Sequence, residues 1–279
     1  MIGATGMGMR EAWFYRDLAP RVSMRMPTAY FAEADSKGDF VLVLEDLTAR
    51  GCAVSDGTWA ISADLAAKAI EDFAELHARF EDADRLAAIA PWVSVKRVGS
   101  VDVTVRTLRH VIENHGGLLS ESYLAVARLF ADRPGEVNAL WDQGPQTLIH
   151  GDAHIGNLFV DDRRVGFLDW GKLYVYMAMR DVSFFLTMGM DAEDRRRKER
   201  ALVRHYVDVR RALGGVELGF DDAWRAHRLH AAYTVIASFL TLVPPYNTES
   251  RRVFTQAFRA RASAALDDLE TVEVLRSAL

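Results

Sequence analysis

The chain has 279 residues, half of them apolar, a formal net charge of −5 at pH 7 and a single cysteine, Cys52. That length suffices for one large domain or two lobes around a sizeable core, and one cysteine excludes an internal disulfide. The mildly acidic balance gives no electrostatic case for nucleic acid.

The N-terminal residues lack the basic start and apolar block of a signal peptide, so a cytoplasmic protein is expected. Residues 10–19 read as a helix with Glu11, Phe14, Tyr15 and Leu18 on one face. Pro20 and Pro27 bracket a connector. Residues 28–34 and 40–45 are β-rich runs around Asp35-Ser-Lys-Gly38, a hairpin signal. Past Leu47 the composition changes: a glycine-bounded loop, residues 51–57, leads into a helix over residues 62–81, capped by Ser62 or Asp64. That helix turns Leu65, Ala69, Phe73, Leu76 and Phe80 inward. Further helices are predicted over residues 101–114 and 120–131. Strands are predicted over residues 146–149, 158–160 and 165–168, the last two paired across Asp161-Asp-Arg-Arg164. After Arg180 the pattern is helical, with breaks near Gly189, Gly214-Gly215 and Pro244-Pro245. The most apolar run, residues 231–243, is too short for a membrane span and contains Tyr233, Thr234, Ser238 and Thr241, so it reads as a buried helix. The expected class is α+β, a small mixed start joined to a large, mostly helical body.

The predicted strands flank the most informative stretch, His150-Gly-Asp-Ala-His-Ile-Gly-Asn157, followed twelve residues later by Asp169-Trp-Gly171. This spacing fits a kinase catalytic loop, H-R-D-x-x-x-x-N, with Asp169-Trp170-Gly171 in the place of Asp-Phe-Gly. Asp152, on a tight loop past a strand, suits a carboxylate that takes the proton of an acceptor hydroxyl. Asn157 and Asp169 offer oxygens from adjoining turns, the ligand type Mg²⁺ prefers. His150 suits a bracing role. Taken alone, His-Gly-Asp is an ordinary polar turn; the four residues at this spacing make that reading poor. Asp152 and His154 could instead be transition-metal ligands of a phosphoesterase, but the further histidine and aspartate clusters such a site needs are missing, which leaves His154 a structural loop residue.

These residues resemble the aminoglycoside phosphotransferase and choline kinase-like superfamily. The loop is similar to that family's His-Gly-Asp-x-His-x-x-Asn, and Phe167-Leu-Asp-Trp170 to its Ile-Asp-Trp strand end. Arg180-Asp-Val-Ser-Phe-Phe185 resembles its Asp-Leu-Ala-x-Phe helix start, which implies that Asp181 buttresses the catalytic loop. Arg10-Glu-Ala-Trp-Phe-Tyr15 resembles the family's αC helix and its glutamate, Glu11. Val43-Leu-Glu-Asp-Leu47 resembles the strand running into the interlobe hinge, where backbone groups of Glu45, Asp46 and Leu47 would bind adenine. The resemblance implies a protein-kinase-like fold, with a reduced N-lobe over residues 1–47 and a helical C-lobe over 48–279 that carries the catalytic loop at 148–171. It further implies ATP or another nucleoside triphosphate as donor, Mg²⁺, and a small-molecule hydroxyl as acceptor.

The family's glutamate pairs with a lysine that holds the α- and β-phosphates. No lysine precedes Lys37 in this sequence, so three strands, the phosphate-covering loop and that lysine are expected to be missing. The alternatives are a start placed too late, or a truncated, pseudokinase-type binding module. Gly3-Ala-Thr-Gly-Met-Gly8 is a poor substitute for the phosphate loop, having neither a preceding strand nor G-x-G-x-x-G spacing. Without the lysine, Glu11 also reads as a first-turn carboxylate favoured by the helix dipole.

Weaker signals have plain explanations. Residues 191–200 interleave both charge signs and read as a solvated helix face. Asp221-Asp222 and Asp267-Asp-Leu-Glu270 read as helix caps and surface rather than a pocket for a cationic acceptor. Tyr174, Tyr176, Trp224 and Tyr246 read as core rather than a cation cradle, and Met177 and Met179 as gap fillers.

Overall fold

The computed structural model describes residues 6–35, 37–93 and 100–279. Residues 3–5 of the glycine segment and Ser36 of the first hairpin lie outside the described residues.

Helix α1 (Met7–Asp17) buries Ala12, Phe14 and Tyr15 and leads, through a 3₁₀ turn at Ala19–Arg21, to the antiparallel hairpin β1 (Ala29–Ala34) and β2 (Phe40–Leu44). The helix begins three residues earlier than the sequence pattern suggested, because Gly6 in a left-handed conformation (φ 65°) starts it. Glu11 therefore sits in the second turn, where the helix dipole gives a carboxylate little.

A short strand, β3 (Ala53–Val54), precedes α2 (Ala63–Arg79), which is capped by the Ser62 side chain on Leu65 N–H. The inward face of α2 carries Ala66, Ala69, Ile70, Phe73, Leu76 and His77 at helical spacing. Then come α3 (Ala83–Ile89), α4 (Val101–His115), α5 (Glu121–Asp132) and α6 (Pro134–Trp141). The sequence pattern predicts neither α3 nor α6; each is about two turns, too short for periodicity to register.

Next come β4 (Gln146–Ile149), β5 (Leu158–Asp161), β6 (Arg164–Phe167) and β7 (Tyr174–Met177). They form two small antiparallel sheets, β3-β5-β6 and β4-β7. The predicted β5–β6 hairpin is present with Leu158 opposite Phe167, whereas β3 and β7 are additions that only their tertiary partners define. Helices α7 (Met179–Gly189), α8 (Ala192–Ala212), α9 (Phe220–Ala231), α10 (Tyr233–Ser238), α11 (Arg252–Asp268) and α12 (Thr271–Ala278) complete the body. The apolar run 231–243 is buried as expected but divided between α9, α10 and a 3₁₀ turn at Phe239–Leu242. No helix among the described residues is long and apolar enough to cross a membrane.

Two apolar clusters meet at β4. Leu148 belongs to one, with Phe73, Phe167 and Phe185, while the adjacent Ile149 belongs to the other, with Trp141, Phe184 and Phe258. Successive strand residues face opposite sides, so both faces of β4 are clamped. The chain leaves β4 at the seam between the clusters, and the His150–Asn157 loop begins there.

One charge reading changes. Arg195 and Glu199 are buried rather than solvated: Arg195 pairs with Glu199 at 2.8 Å and with Asp268, tying α8 to α11. Glu270 pairs with Arg228 at 2.7 Å. The carboxylates of Asp268 and Glu270 thus answer arginines of neighbouring helices. Tyr246 is 42% exposed and not core.

Candidate active site

Gly151 has φ +81°, and a Cβ there would lie 2.9 Å from the Tyr174 ring and 3.1 Å from the Lys172 carbonyl oxygen. Only glycine permits this close turn, and its amide and that of His150 are free to point at one acceptor. Buried Asp181, in the first turn of α7, accepts both: His150 N–H donates at 2.6 Å and Gly151 N–H at 2.9 Å. The predicted buttress therefore holds the backbone of the loop.

The His150 imidazole is fully buried, with Nε2–H donating to the Leu168 carbonyl at 2.9 Å and Nδ1 accepting Asp152 N–H at 3.2 Å. One nitrogen donates and the other accepts, so the ring is the neutral tautomer and braces the loop. His154 caps the 3₁₀ turn Ile155–Asn157 through Nδ1, which accepts Gly156 N–H at 3.0 Å. Its Nε2 then faces Asp152 Oδ2 at 3.7 Å. Burial pushes the His154 pKa below the ordinary histidine value, against the pull of Asp152.

Asp152 is buried, and every polar contact its carboxylate makes with described residues converges on Oδ2. Lys172 Nζ lies at 2.7 Å, Asn157 Nδ2 at 3.4 Å and His154 Nε2 at 3.7 Å. Burial works to raise its pKa, but Lys172 and His154 outweigh it and hold the carboxyl below its usual value. Burial likewise disfavours the Lys172 ammonium, yet Asp152 holds its pKa above the ordinary lysine value. The two form an ion pair at Oδ2.

Lys172 was not singled out from the sequence. A signal was available: it is one of five lysines in an arginine-rich chain. It also lies three residues past Asp169, on a turn the motif itself positions.

Asn157 Nδ2 also donates to the Asp152 carbonyl at 3.0 Å, so the side chain is locked with its amide nitrogen toward Asp152. The hairpin register continues past β5 and β6, with Leu168 N–H donating to the Asn157 carbonyl at 2.8 Å. This sets Asn157 across from the residue before Asp169. Asp169 is exposed in a left-handed conformation (φ 58°, ψ 67°), which aspartate tolerates better than most residues, and its side chain makes no capping bond. Two unspent oxygens on adjoining turns suit a hard divalent cation. No group of three or more His, Cys, Asp or Glu able to hold a metal occurs among the described residues, so the remaining ligands would come from phosphates and water.

Helix α1 docks on the turn Trp170–Lys172. Phe14 stacks on Trp170 with centroids 4.0 Å apart and planes 8° apart, and Trp170 N–H donates to Glu11 Oε1 at 3.2 Å. Among the described residues no cation pairs with Glu11; burial first, then Asp169, push its pKa up to about 7.

Glu45, Asp46 and Leu47 are not gathered with these groups. Glu45 is enclosed by Arg25 (3.0 Å), Arg50 (3.1 Å) and Thr28 N–H (3.0 Å). Asp46 accepts Thr48 and Ala49 N–H in a local turn, and the Leu47 carbonyl accepts Cys52 N–H at 2.9 Å. The side chains at this segment thus serve the connection between hairpin and helical body.

A loop braced by a neutral histidine, an ionised aspartate beside an asparagine, and a second aspartate across a hairpin define a phosphotransferase of protein-kinase-like fold. The chain belongs to the phosphotransferase enzyme family (APH), which its residues 8–230 match. Among solved structures it is similar to a macrolide 2'-phosphotransferase type I, at 15% identity and TM-score 0.57 over 94% of this chain and 81% of that one. It is also similar to a choline/ethanolamine kinase family protein from Mesorhizobium loti (16% identity, TM-score 0.54, 98% and 82% covered). A third is the GDP and kanamycin complex of APH(2'')-IIIa (16% identity, TM-score 0.54, 100% and 84% covered). No curated protein matches the sequence.

Proposed function

We propose that this protein transfers the γ-phosphoryl group of a nucleoside triphosphate, ATP or GTP, to a hydroxyl of a small molecule. The observation that carries this reading is Asp152: a buried carboxylate held ionised by Lys172 at its Oδ2. The acceptor oxygen bonds to the γ-phosphorus while the bond from that phosphorus to the bridging oxygen breaks. The nucleoside diphosphate leaves, and the hydroxyl proton passes to Asp152 Oδ1. Asn157 and Asp169 are the residues that would hold Mg²⁺, which when bound neutralises charge on the phosphates. His150 and Asp181 fix the loop, and His154 faces the same Asp152 oxygen as Lys172. The backbone of residues 45–47 is the proposed contact for the base, through groups other than the Glu45 N–H and the Asp46 and Leu47 carbonyls, which already bond Thr28, Arg50 and Cys52. The GDP complex among similar folds supports a nucleotide donor.

The test is thermal stabilisation by Mg·ATP and Mg·GTP, with and without Asp169→Asn, followed by nucleoside diphosphate release against a panel of hydroxyl compounds. Metal-dependent stabilisation that Asp169→Asn removes, with release that Asp152→Asn slows about 10²–10⁴-fold, is the expected result. Binding without release for any acceptor points to a nucleotide-binding module instead, and no binding sinks both.

A further inference from the structure

A cavity of about 360 Å³ opens beside the catalytic loop, bordered by Gly151 and Lys172 at one end and by Arg180 deeper in. Its volume suits a small ligand. Much of its wall is apolar, including Phe130, Tyr233, Ile236 and Phe239. The charged residues among its described lining are Lys172 and Arg180; no carboxylate is among them.

Arg180 is 2% exposed and lies among aromatic rings, its guanidinium carbon 3.8 Å from the Tyr233 centroid and 4.7 Å from that of Trp141. A guanidinium carries five N–H donors. Nε is spent on His230 Nδ1 at 3.1 Å and the guanidinium also engages the Tyr233 side chain, while Nη2 is buried with no hydrogen-bond partner among the described residues. No described carboxylate forms an ion pair with Arg180: the neighbouring Asp181 gives its two oxygens to His150 and Gly151 N–H. A buried, incompletely satisfied cation is costly unless something answers it, and the aromatic faces offset only part of that.

Resting on the reading of the loop as the transfer centre, we infer that this cavity is the acceptor site and that it selects a hydroxyl compound bearing an anionic group, such as a carboxylate. The anion meets the buried Arg180 fork while the acceptor's apolar part lies against the aromatic wall. A cationic acceptor would face Lys172 and Arg180 together. The acidic clusters that would suit such a cation lie elsewhere, Asp268 and Glu270 being paired with arginines.

The experiment is calorimetric titration, without nucleotide, of benzoate, benzamide and benzylammonium, three probes of similar shape and different charge. Benzoate should bind at least about ten-fold more tightly than benzamide, as expected for a charge-assisted hydrogen-bonded pair. Benzylammonium should bind most weakly. Arg180→Met should abolish the preference, and Arg180→Lys, which keeps the charge but not the fork, should retain part of it. Circular dichroism checks that both variants fold; if neither does, the ranking by the unsubstituted protein decides. Equal binding of the three, preference for benzylammonium, or binding by none at millimolar concentration would overturn the inference. Because no nucleotide is present, the outcome is separate from the Mg·nucleotide test of the transfer centre.

Discussion

Asp152 and Glu11 both reach the 170–172 turn, one from the loop after β4 and the other from α1. Their surroundings are opposite. Asp152 has Lys172 at 2.7 Å and its pKa is lowered; Glu11 has a backbone N–H at 3.2 Å, faces Asp169, and is raised to about 7. The Asp152 side is thus charge-balanced by a lysine, whereas the α1 carboxyl has no cation beside it among the described residues and is partly protonated near neutral pH.

The comparison also sets opposite pH slopes. The lowered pKa of Asp152 contributes stability that is present above its unfolded value and lost as pH falls. The raised pKa of Glu11 contributes stability that is full below its ordinary 4.5 and lost as pH rises through about 7.

The largest way to break the contrast is Asp152→Asn, which removes the ionised acceptor of the proton. Turnover should fall about 10²–10⁴-fold, with Mg·nucleotide stabilisation retained, as initial rates and melting curves would show. Asp181→Asn comes next. It turns an amide donor toward two buried N–H groups and should destabilise the fold by about 2–4 kcal/mol in denaturant unfolding. Little or no loss there would mean that the loop does not depend on its buttress.

Glu11→Gln sharpens the other half. In metal-free buffer it should stabilise the protein by about 1–2 kcal/mol at pH 8 and little at pH 5, after allowing for solvent screening of the charge. A gain equal at both pH values would show that charge is not the cause. Phe14→Leu should have the smallest effect, about 0.5–1.5 kcal/mol from the lost stack on Trp170. That loss should be independent of pH, which separates packing of α1 from its electrostatics.

The site residues on the loop were legible because local spacing carries them: His150, Asp152, Asn157 and Asp169 lie within twenty residues, joined by a hairpin with its own turn signal. Asp181 was legible only through resemblance, since nothing local says that a helix 30 residues on caps the loop's amides. The glutamate of α1 was placed correctly on a helix but in the wrong turn, because the start depends on Gly6 rather than on apolar periodicity. Strand β3 escaped because a strand of two residues exists only by its partner; β7, as long as β4, was missed because its tyrosines read as core.

By itself, then, the sequence determined the helical body, the hairpin and the chemistry class, all of which follow from period, turn residues and short-range spacing. Tertiary structure decided which charges meet. Lys172 lands on Asp152, Arg195 on Asp268, and Arg180 in an aromatic cavity with no carboxylate among its described lining, because two apolar clusters clamp β4 and fix what lies at their seam. Electrostatic energies depend on separation in space and on burial, and neither is written in the order of residues along the chain.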